Sequence, residues 1–459
     1  MPQNNGLTVE AQIMRVIAEL SYGDVVVLGR GIPELISESL PPEIWVWVLT
    51  EDGVLNAPKS GDSNTLGLHG SSFQSTVDVA SIMHGGHVDV AIVEAKEVST
   101  SGDVVVVTAA DKGDTECLGW TVDALSNAGK VIAMGKYFDD DGSSVLKGEC
   151  SLPLHGSQCV DLLVTDIAVV DMTQDGCILS EIAPNWNSQE VISGTDASLK
   201  MAPNMCEIST HLTEMDKSSK VYEHGLDALA DLPTGATVMI DGFAGPGGMP
   251  HYLLVSLRDH GARELTIIGN TAGIARVVNF GTPPGKQAID HTLLIDNGQI
   301  AKAVASYPVS PSASRPTAFE VAYRKGDVDL ELVPQGTLAE RLRAGGAGVK
   351  AFYTPTGVGT LIAEGKETRN IDGKEYILEH GLRADFCLIR GYKADTLGNV
   401  IYKGTSRNFN PVMAPAAQTT IVEVDEVVEV GVLDPDEIVT PGIFIDRIVV
   451  RPPTFSAYE

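Results

Sequence analysis

The sequence predicts an α/β protein made of two homologous domains with mixed, largely parallel sheets, related by pseudo-two-fold symmetry. Three observations predict it. Short β-rich runs alternate with helical stretches along the chain. Several of those runs, such as Val25-Val26-Val27-Leu28, are apolar at every position, as strands buried on both faces are. A unit of strand, glycine loop, proline and helix occurs once in each half of the sequence.

In the first half Val25–Leu28, Ile44–Leu49, Val88–Val93, Val104–Thr108 and Lys130–Met134 read as strands. Glu34–Leu40 and Val122–Ala128 read as the helices between them. In the second half Thr237–Ile240, Leu265–Ile268, Ala301–Ser306 and Asp329–Leu332 read as strands, and His251–Asp259 and Thr337–Arg343 as helices. The stretch from about Ile182 to Glu223 is polar, rich in Gly and Ser, and without periodicity, which predicts a linker. Placing the boundary near residues 212–220 gives domains 1–212 and 220–459.

The repeated unit opens Gly23-Asp24-Val25 and runs through Gly29-Arg30-Gly31-Ile32-Pro33. Its counterpart opens Gly235-Ala236-Thr237 and runs through Gly242, Gly245, Gly247 and Gly248 to Pro250. A second strand follows in each copy and ends in a polar turn, Thr50-Glu51-Asp52-Gly53 in one and Asn270-Thr271-Ala272-Gly273 in the other. Two such copies predict domains that meet at a pseudo-symmetric interface, and clefts between domains favour ligands.

Composition narrows the function classes. The 459 residues carry 61 acidic and 32 basic side chains, a net charge of −29. That excess argues against a nucleic-acid or polybasic membrane partner. No apolar run is long enough to span a bilayer, and the opening Met-Pro-Gln-Asn-Asn-Gly lacks the cations of a signal peptide. Six cysteines without a C-x-x-C pair predict reduced core thiols and a cytoplasmic protein.

The two polar turns differ in charge, with Glu51 in the first copy where the second has Thr271. The carboxyl end of a buried strand is where open α/β sheets place ligand groups, so Glu51 is a candidate catalytic carboxylate; a solvated surface acid is the plainer reading. The glycine loops at Gly29-Arg30-Gly31 and Gly242–Gly248 let backbone N–H groups approach a ligand, as an oxyanion hole or a phosphate nest does. Gly281-Thr-Pro-Pro-Gly285-Lys286 lacks the spacing and the hydroxyl of a Walker A loop. His84 and His87 have no third ligand at useful spacing, and Asp139-Asp140-Asp141-Gly142 lacks the rest of a calcium loop, so no metal site is expected. Arg341 and Arg343 fit an anion contact or a solvated helix face.

These residues resemble the class I coenzyme A transferases of the 3-oxoacid type. The second half is similar to the alpha subunit of that family, through Pro334-Gln335-Gly336-Thr337-Leu338-Ala339-Glu340-Arg341, Phe352–Thr360, Arg407-Asn408-Phe409-Asn410-Pro411 and Thr440–Phe444. Through Gly29–Pro33, Glu51–Val54, Gly85–Asp89 and Glu149–Leu154, the first half is similar to the beta subunit. The order is beta-like then alpha-like, the reverse of the usual fused enzyme.

The resemblance implies a CoA transferase moving coenzyme A between short-chain carboxylic acids, with 3-oxo acids and succinate as the first expectation. Glu51 matches the family nucleophile. It would attack the acyl-CoA thioester to give an acyl–glutamyl anhydride and CoA thiolate. The thiolate would then attack the glutamyl carbonyl, release the first acid and leave a glutamyl–CoA thioester, and an incoming acid would reverse the sequence. A carboxylate with a reference pKa near ~4.3 is ionised at neutral pH and needs no separate base. Thioester exchanges for thioester, so the coenzyme A thioester is a substrate and no bound cofactor or metal is implied. Oxyanion and substrate positions map onto Asn270, Thr271 and Gln335, with Gly29, Arg30 and Gly31 in the first loop. Gly119, Trp120 and Thr121 stand in place of a smaller Gly-Gly-Ala.

Other departures are Thr271 for an Asn, Val27 for an Asn, Arg30 for an apolar residue, and a second-half glycine loop longer by one. They cluster around the expected acyl pocket. Arg30 would suit the distal carboxylate of a diacid, or else solvent or a CoA phosphate. The alternatives are an acyl-CoA or carbon–carbon hydrolase on the same scaffold, or a non-catalytic acyl-CoA-binding protein. The family also implies a homo-oligomer, dimer or tetramer.

Overall fold

The computed structural model describes residues 6–41, 44–50, 53–56, 71–107, 119–212, 219–240, 242–243, 248–278 and 282–458. They fall into two compact units, Met1–Lys217 and Ser218–Glu459.

The first unit is built on five parallel strands, β1 (Val25–Leu28), β2 (Trp47–Leu49), β3 (Val90–Ser99), β4 (Lys130–Gly135) and β5 (Leu162–Thr165), in the order β2-β1-β3-β4-β5. Val26, Val27, Ile92 and Ile132 are almost fully buried, so the apolar runs do lie in a sheet covered on both faces. Helices α1 (Val9–Ile17), α2 (Thr76–His84) and α3 (Thr121–Asn127) belong to this unit. In α1, Thr8 accepts the Ala11 N–H, and Ile13, Val16 and Ile17 form the buried stripe. Beyond β2 the sheet continues through Val54–Asn56 and Ser72–Phe73, both antiparallel. Beyond β5 it continues through Ala168–Thr173, Gly176–Ile182 and Leu199–Glu207.

That last strand corrects the expected linker. Residues 188–194 form a helix whose start is held by Asn187, and Leu199–Glu207 pairs in parallel with Gly176–Ile182. Its polar sequence follows from its place at the sheet's edge, where only Leu199 is buried. The expected helix Glu34–Leu40 is a 3-10 turn, Ile32–Leu35, followed by one α-turn, Ile36–Ser39.

The second unit holds an all-parallel sheet. Its strands are β6 (Thr237–Ile240), β7 (Leu265–Thr271), β8 (Ile300–Tyr307), β9 (Asp329–Leu332), β10 (Ala384–Arg390), β11 (Ala417–Val424) and β12 (Arg447–Val450), in the order β12-β11-β10-β6-β7-β8-β9. Val221–Tyr222 adds a further parallel strand beside β12. Alternate residues of each strand serve opposite faces. Val238, Ile240, Ile267 and Ala303 pack with Leu253, Leu254 and Leu257 of helix α4 (His251–His260), with Leu294 of α5 (Thr292–Asp296) and with Phe319 of α6 (Ala318–Lys325). Met239, Ile268, Val304 and Cys387 pack with Leu338 and Leu342 of α7 (Gln335–Gly346). The result is three layers with a core on each side of the sheet.

The five-strand order β7-β6-β10-β11-β12 matches β2-β1-β3-β4-β5 of the first unit, so the repeat seen in sequence is a repeat of topology. The main sheet is mixed in the first unit and parallel in the second, which also carries two small three-stranded sheets with antiparallel pairs.

Candidate functional site

Parallel strands bring all their carboxyl ends to one edge, and the loops there carry function in such sheets. In the second unit that edge holds Asn270 and Thr271, which are the last residues of β7 rather than a free turn. Both are buried, at 2% and 3% exposure. Alternation along β7 places them on opposite faces. Asn270 lies two residues past Ile268, on the face covered by α7. Thr271 lies two past Gly269, on the face of α4 and α5.

The Thr271 face is clasped by three consecutive residues. His291 is fully buried, and its Nε2 donates to the Ile240 carbonyl at 2.8 Å, where β6 ends and the glycine loop begins. Nε2 carries the hydrogen of this contact, since the carbonyl can only accept. A side chain at Gly269 would come within 2.5 Å of that same carbonyl. Asp290 accepts the Ala275 N–H at 2.8 Å and the Thr292 N–H at 2.9 Å, which fixes the turn after Thr271. The hydroxyl of Thr271 is buried without a hydrogen-bond partner among the described residues, as is that of Thr292.

On the α7 face, Gly269 registers with Ala305 and Ala305 with Leu332, so Asn270 and Ser306 are neighbours. Gln335, half-buried, opens α7 directly after β9, and Thr337 in the same turn is 4% exposed. The hydroxyls of Ser306 and Thr337 are buried and unpartnered among the described residues. Asn270, Ser306, Gln335 and Thr337 therefore supply polar groups at one sheet edge, beside a helix start whose N–H groups favour negative charge. Such donors stabilise an oxyanion or hold a carboxylate.

In the first unit Glu51 lies outside the described residues. Its flanks are held in place: Gly53 N–H donates to the Thr50 carbonyl at 3.2 Å, and Val54 N–H to Thr50 Oγ1 at 3.1 Å. Arg30 is exposed after β1. Gly31 adopts φ 92°, and a side chain there would run into the Glu94 carboxylate at 2.0 Å. Glu94, on β3, accepts the Ile32 N–H at 2.9 Å, while Gly29 N–H donates to the Ile92 carbonyl at 2.7 Å. Gly119 is exposed, Trp120 and Thr121 are half-buried, and together they start α3, which leads into β4.

Two carboxylates hold N–H groups that flank the glycine loops, and residues 244–247 of the second loop lie outside the described residues. Glu94 takes the N–H after the first loop. Glu423, fully buried on β11, accepts the Tyr252 and Leu253 N–H groups at 2.8 and 3.1 Å at the start of α4. Each unit thus fills the helix start beside its glycine loop with an internal carboxylate.

Residues 222–451, within the second unit, match the Coenzyme A transferase family. The chain is 48% identical over 231 residues to one subunit of the 3-oxoadipate CoA-transferase of Pseudomonas putida, covering 50% of this chain and 93% of that one. It is 44% identical over 231 residues to one subunit of the probable succinyl-CoA:3-ketoacid coenzyme A transferase of Bacillus subtilis, covering 50% and 90%. It is 46% identical over 225 residues to the alpha subunit of the acetate CoA-transferase of Escherichia coli, covering 49% and 94%. The chain belongs to the coenzyme A transferase family.

Other candidates have structural roles in this CoA transferase. His84 pairs with Asp123 at 2.9 Å, and Asp139 closes its own turn by accepting the Asp141 and Ser143 N–H groups. Arg341, read as a possible solvated helix residue, is buried and joins α7 to the His380 carbonyl at 2.8 Å and to Glu331 at 2.7 Å. Arg343 pairs with Glu340. Among the described residues no group of three or more His, Cys, Asp or Glu is arranged to hold a metal ion, and no helix is long and apolar enough to cross a membrane. Sequence reasoning missed Glu94, Asp290, His291, Ser306 and Thr337. For Ser306 and Thr337 the available signal was a hydroxyl at the carboxyl end of a buried strand and one in the first turn of the helix after β9. The other three had none, because their importance comes from contacts distant in sequence.

Proposed function

We propose that the protein moves coenzyme A between short-chain carboxylic acids of the 3-oxo acid and succinate type, with Glu51 as the nucleophile that carries the acyl–glutamyl anhydride and then the glutamyl–CoA thioester. The observation that carries this reading is the family match over residues 222–451, with relatives named for 3-oxoadipate and for succinyl-CoA with 3-keto acids. The polar set at the second unit's edge, Asn270, Ser306, Gln335 and Thr337, suits the developing oxyanion of each acyl transfer. One well-placed donor there is worth roughly 3–4 kcal/mol. The chemistry needs neither metal nor bound cofactor, since a thioester is broken and remade. A cytoplasmic homo-oligomer is part of the same proposal.

The test is acceptor dependence. Succinyl-CoA with acetoacetate should give acetoacetyl-CoA in amounts equal to the succinyl-CoA consumed, with no free thiol accumulating. Free thiol released at the same rate with and without acceptor would show a hydrolase instead.

A further inference from the structure

Glu423 plays no part in the chemistry above, yet the end of the second glycine loop is built around it. Helix α4 begins directly after that loop and has no side-chain cap of its own, since Pro250 stands at the capping position. Glu423, near the end of β11, supplies one from a distance: a single oxygen, Oε2, accepts both the Tyr252 and the Leu253 N–H. Just upstream the loop is held again. Asn410 Nδ2 donates to the Gly248 carbonyl at 3.0 Å, and Asn410 Oδ1 accepts the Arg390 N–H at 3.2 Å where β10 ends. The other end of the loop is fixed by His291 at the Ile240 carbonyl. Between those ends Phe243 holds φ 56°, a conformation that a non-glycine residue keeps only where its surroundings enforce it.

Charge holds the other side of the Glu423 carboxylate. Arg390 pairs with Glu423 in strand register, and its Nε lies 3.7 Å from Glu423 Oε1. Arg451, just past β12, places Nη1 3.9 Å from the same oxygen. Both arginines also meet Asp425, at 2.7 and 2.6 Å. His251, in the first turn of α4, is kept neutral by burial and then by these two arginines. Glu423, Arg390 and His251 are all buried. With Glu423 ionised, two carboxylates balance two arginines; with it protonated, a buried positive charge is left over. Oε1 has no hydrogen-bond partner among the described residues, and neither has Arg390 Nε or His251 Nδ1. Glu423 is therefore gripped by N–H donors through one oxygen and by charge alone through the other. Burial pushes its pKa up to about 7, against the pull of Arg390, Arg451 and the two N–H groups.

We propose that Glu423 is a positioning residue for CoA transfer: ionised, it draws the start of α4 and the end of the glycine loop onto the Arg390–Arg451 pair, and protonated, it releases them. This inference rests on the transferase reading. β6 lies between β7 and β10, so its loop leaves the same sheet edge as Asn270. A loop that shifts there carries its N–H groups away from a developing oxyanion, and an error of about 1 Å costs on the order of a hundredfold in rate. A proton arriving at Glu423 settles on Oε1, because Oε2 already takes two N–H groups. There it cancels the attraction of both arginines.

The experiment is a profile of kcat against pH, from 6 to 8, for transfer from succinyl-CoA to acetoacetate. One group titrating at about 7 predicts a roughly tenfold fall in the wild type from pH 8 to pH 6. Glu423→Gln keeps the shape of the side chain but cannot ionise. At pH 8 its kcat should be about tenfold below wild type with KM for acetoacetate within about twofold, and its profile should be flat, so that the two enzymes converge near pH 6. Arg451→Gln removes one attraction and should move the wild-type limb up by about half a pH unit. A residue that only stabilised the fold would lower Tm in Glu423→Gln and leave the profile in place. Amide exchange supplies a readout that needs no turnover. After correction for intrinsic rates, the peptide spanning residues 249–257 should exchange several-fold faster at pH 6 than at pH 8 in the wild type, and without that pH dependence in Glu423→Gln. A flat wild-type profile, a limb that persists in Glu423→Gln, or a limb unmoved by Arg451→Gln would each overturn the assignment. Should Glu423→Gln fail to fold, Arg451→Gln decides. If the wild type transfers no CoA the transferase reading fails, and the exchange measurement still decides whether Glu423 holds this segment.

Discussion

Gly53→Ala is the substitution that best tests whether the hairpin flanking Glu51 positions it. Gly53 sits at φ 93°, which costs an alanine roughly 1–2 kcal/mol. The greater effect is steric. A Cβ at Gly53 would lie 2.0 Å from the Gln74 carbonyl oxygen, and ordinary contact for such a pair begins at 3.4 Å. Either the neighbouring Ser72–Phe73 strand or the Trp47–Leu49/Val54–Asn56 hairpin must therefore shift by more than an ångström. The Gln74 N–H also donates to the Gly53 carbonyl at 2.7 Å, so the strain is shared with that bond. A misplacement of about 1 Å at a reacting group costs on the order of a hundredfold in rate. The expected result is a fall of that order in kcat for CoA transfer, measured by acetoacetyl-CoA formation, with the protein still folded by circular dichroism and a lowered Tm. Wild-type kcat in a folded Gly53→Ala variant would refute the reasoning from hairpin to nucleophile.

Other substitutions probe the remaining elements. Burial, with Arg451 and Arg390 adding to it, lowers the His251 pKa to about 3 from an ordinary value of 6.5. The unfolded chain then takes up this proton first, so the stability is present above about pH 6.5 and is lost as pH falls toward 3. The loss is on the order of 5 kcal/mol at full extent, and urea titrations should show His251→Asn losing less stability over that window than the wild type. Leu338→Ala empties a fully buried position between α7 and the sheet, and urea unfolding should register a loss of about 2–5 kcal/mol. Glu94→Ala leaves the Ile32 N–H without its acceptor, which should cost about 1–3 kcal/mol in the same assay; an unchanged midpoint would show that the carboxylate does not hold the first glycine loop.

The sequence made some elements plain and concealed others for identifiable reasons. Val25–Leu28, Thr237–Ile240 and Asp329–Leu332 are strands over the expected residues, and the first two lie deep in their sheets, where a continuous apolar run is decisive. The strand expected at Val88–Val93 runs on to Ser99 because its later part turns to pair with Val104–Val106, a tertiary contact that no local pattern encodes. Leu199–Glu207 looked like a linker because an edge strand with one buried residue has no hydrophobic period. At the candidate site, Asn270 and Gln335 could be picked out by repeat and resemblance. The separation of Asn270 from Thr271 onto opposite faces could not be, since it depends on β7 continuing through both residues. Asp290, His291 and Glu94 act through partners 15, 51 and 62 residues away, and a buried polar residue looks like a surface one until its partner is known.

The proposed mechanism turns on a glutamyl carboxylate that becomes covalently bonded to coenzyme A during turnover. Incubation of the protein with succinyl-CoA and no acceptor acid, followed by rapid quenching and peptide mass spectrometry, tests it directly. Coenzyme A should be found on the peptide that contains Glu51, and none on that peptide in Glu51→Gln. Transfer to acetoacetate that proceeds with no adduct on that peptide, or that survives in Glu51→Gln, would contradict it.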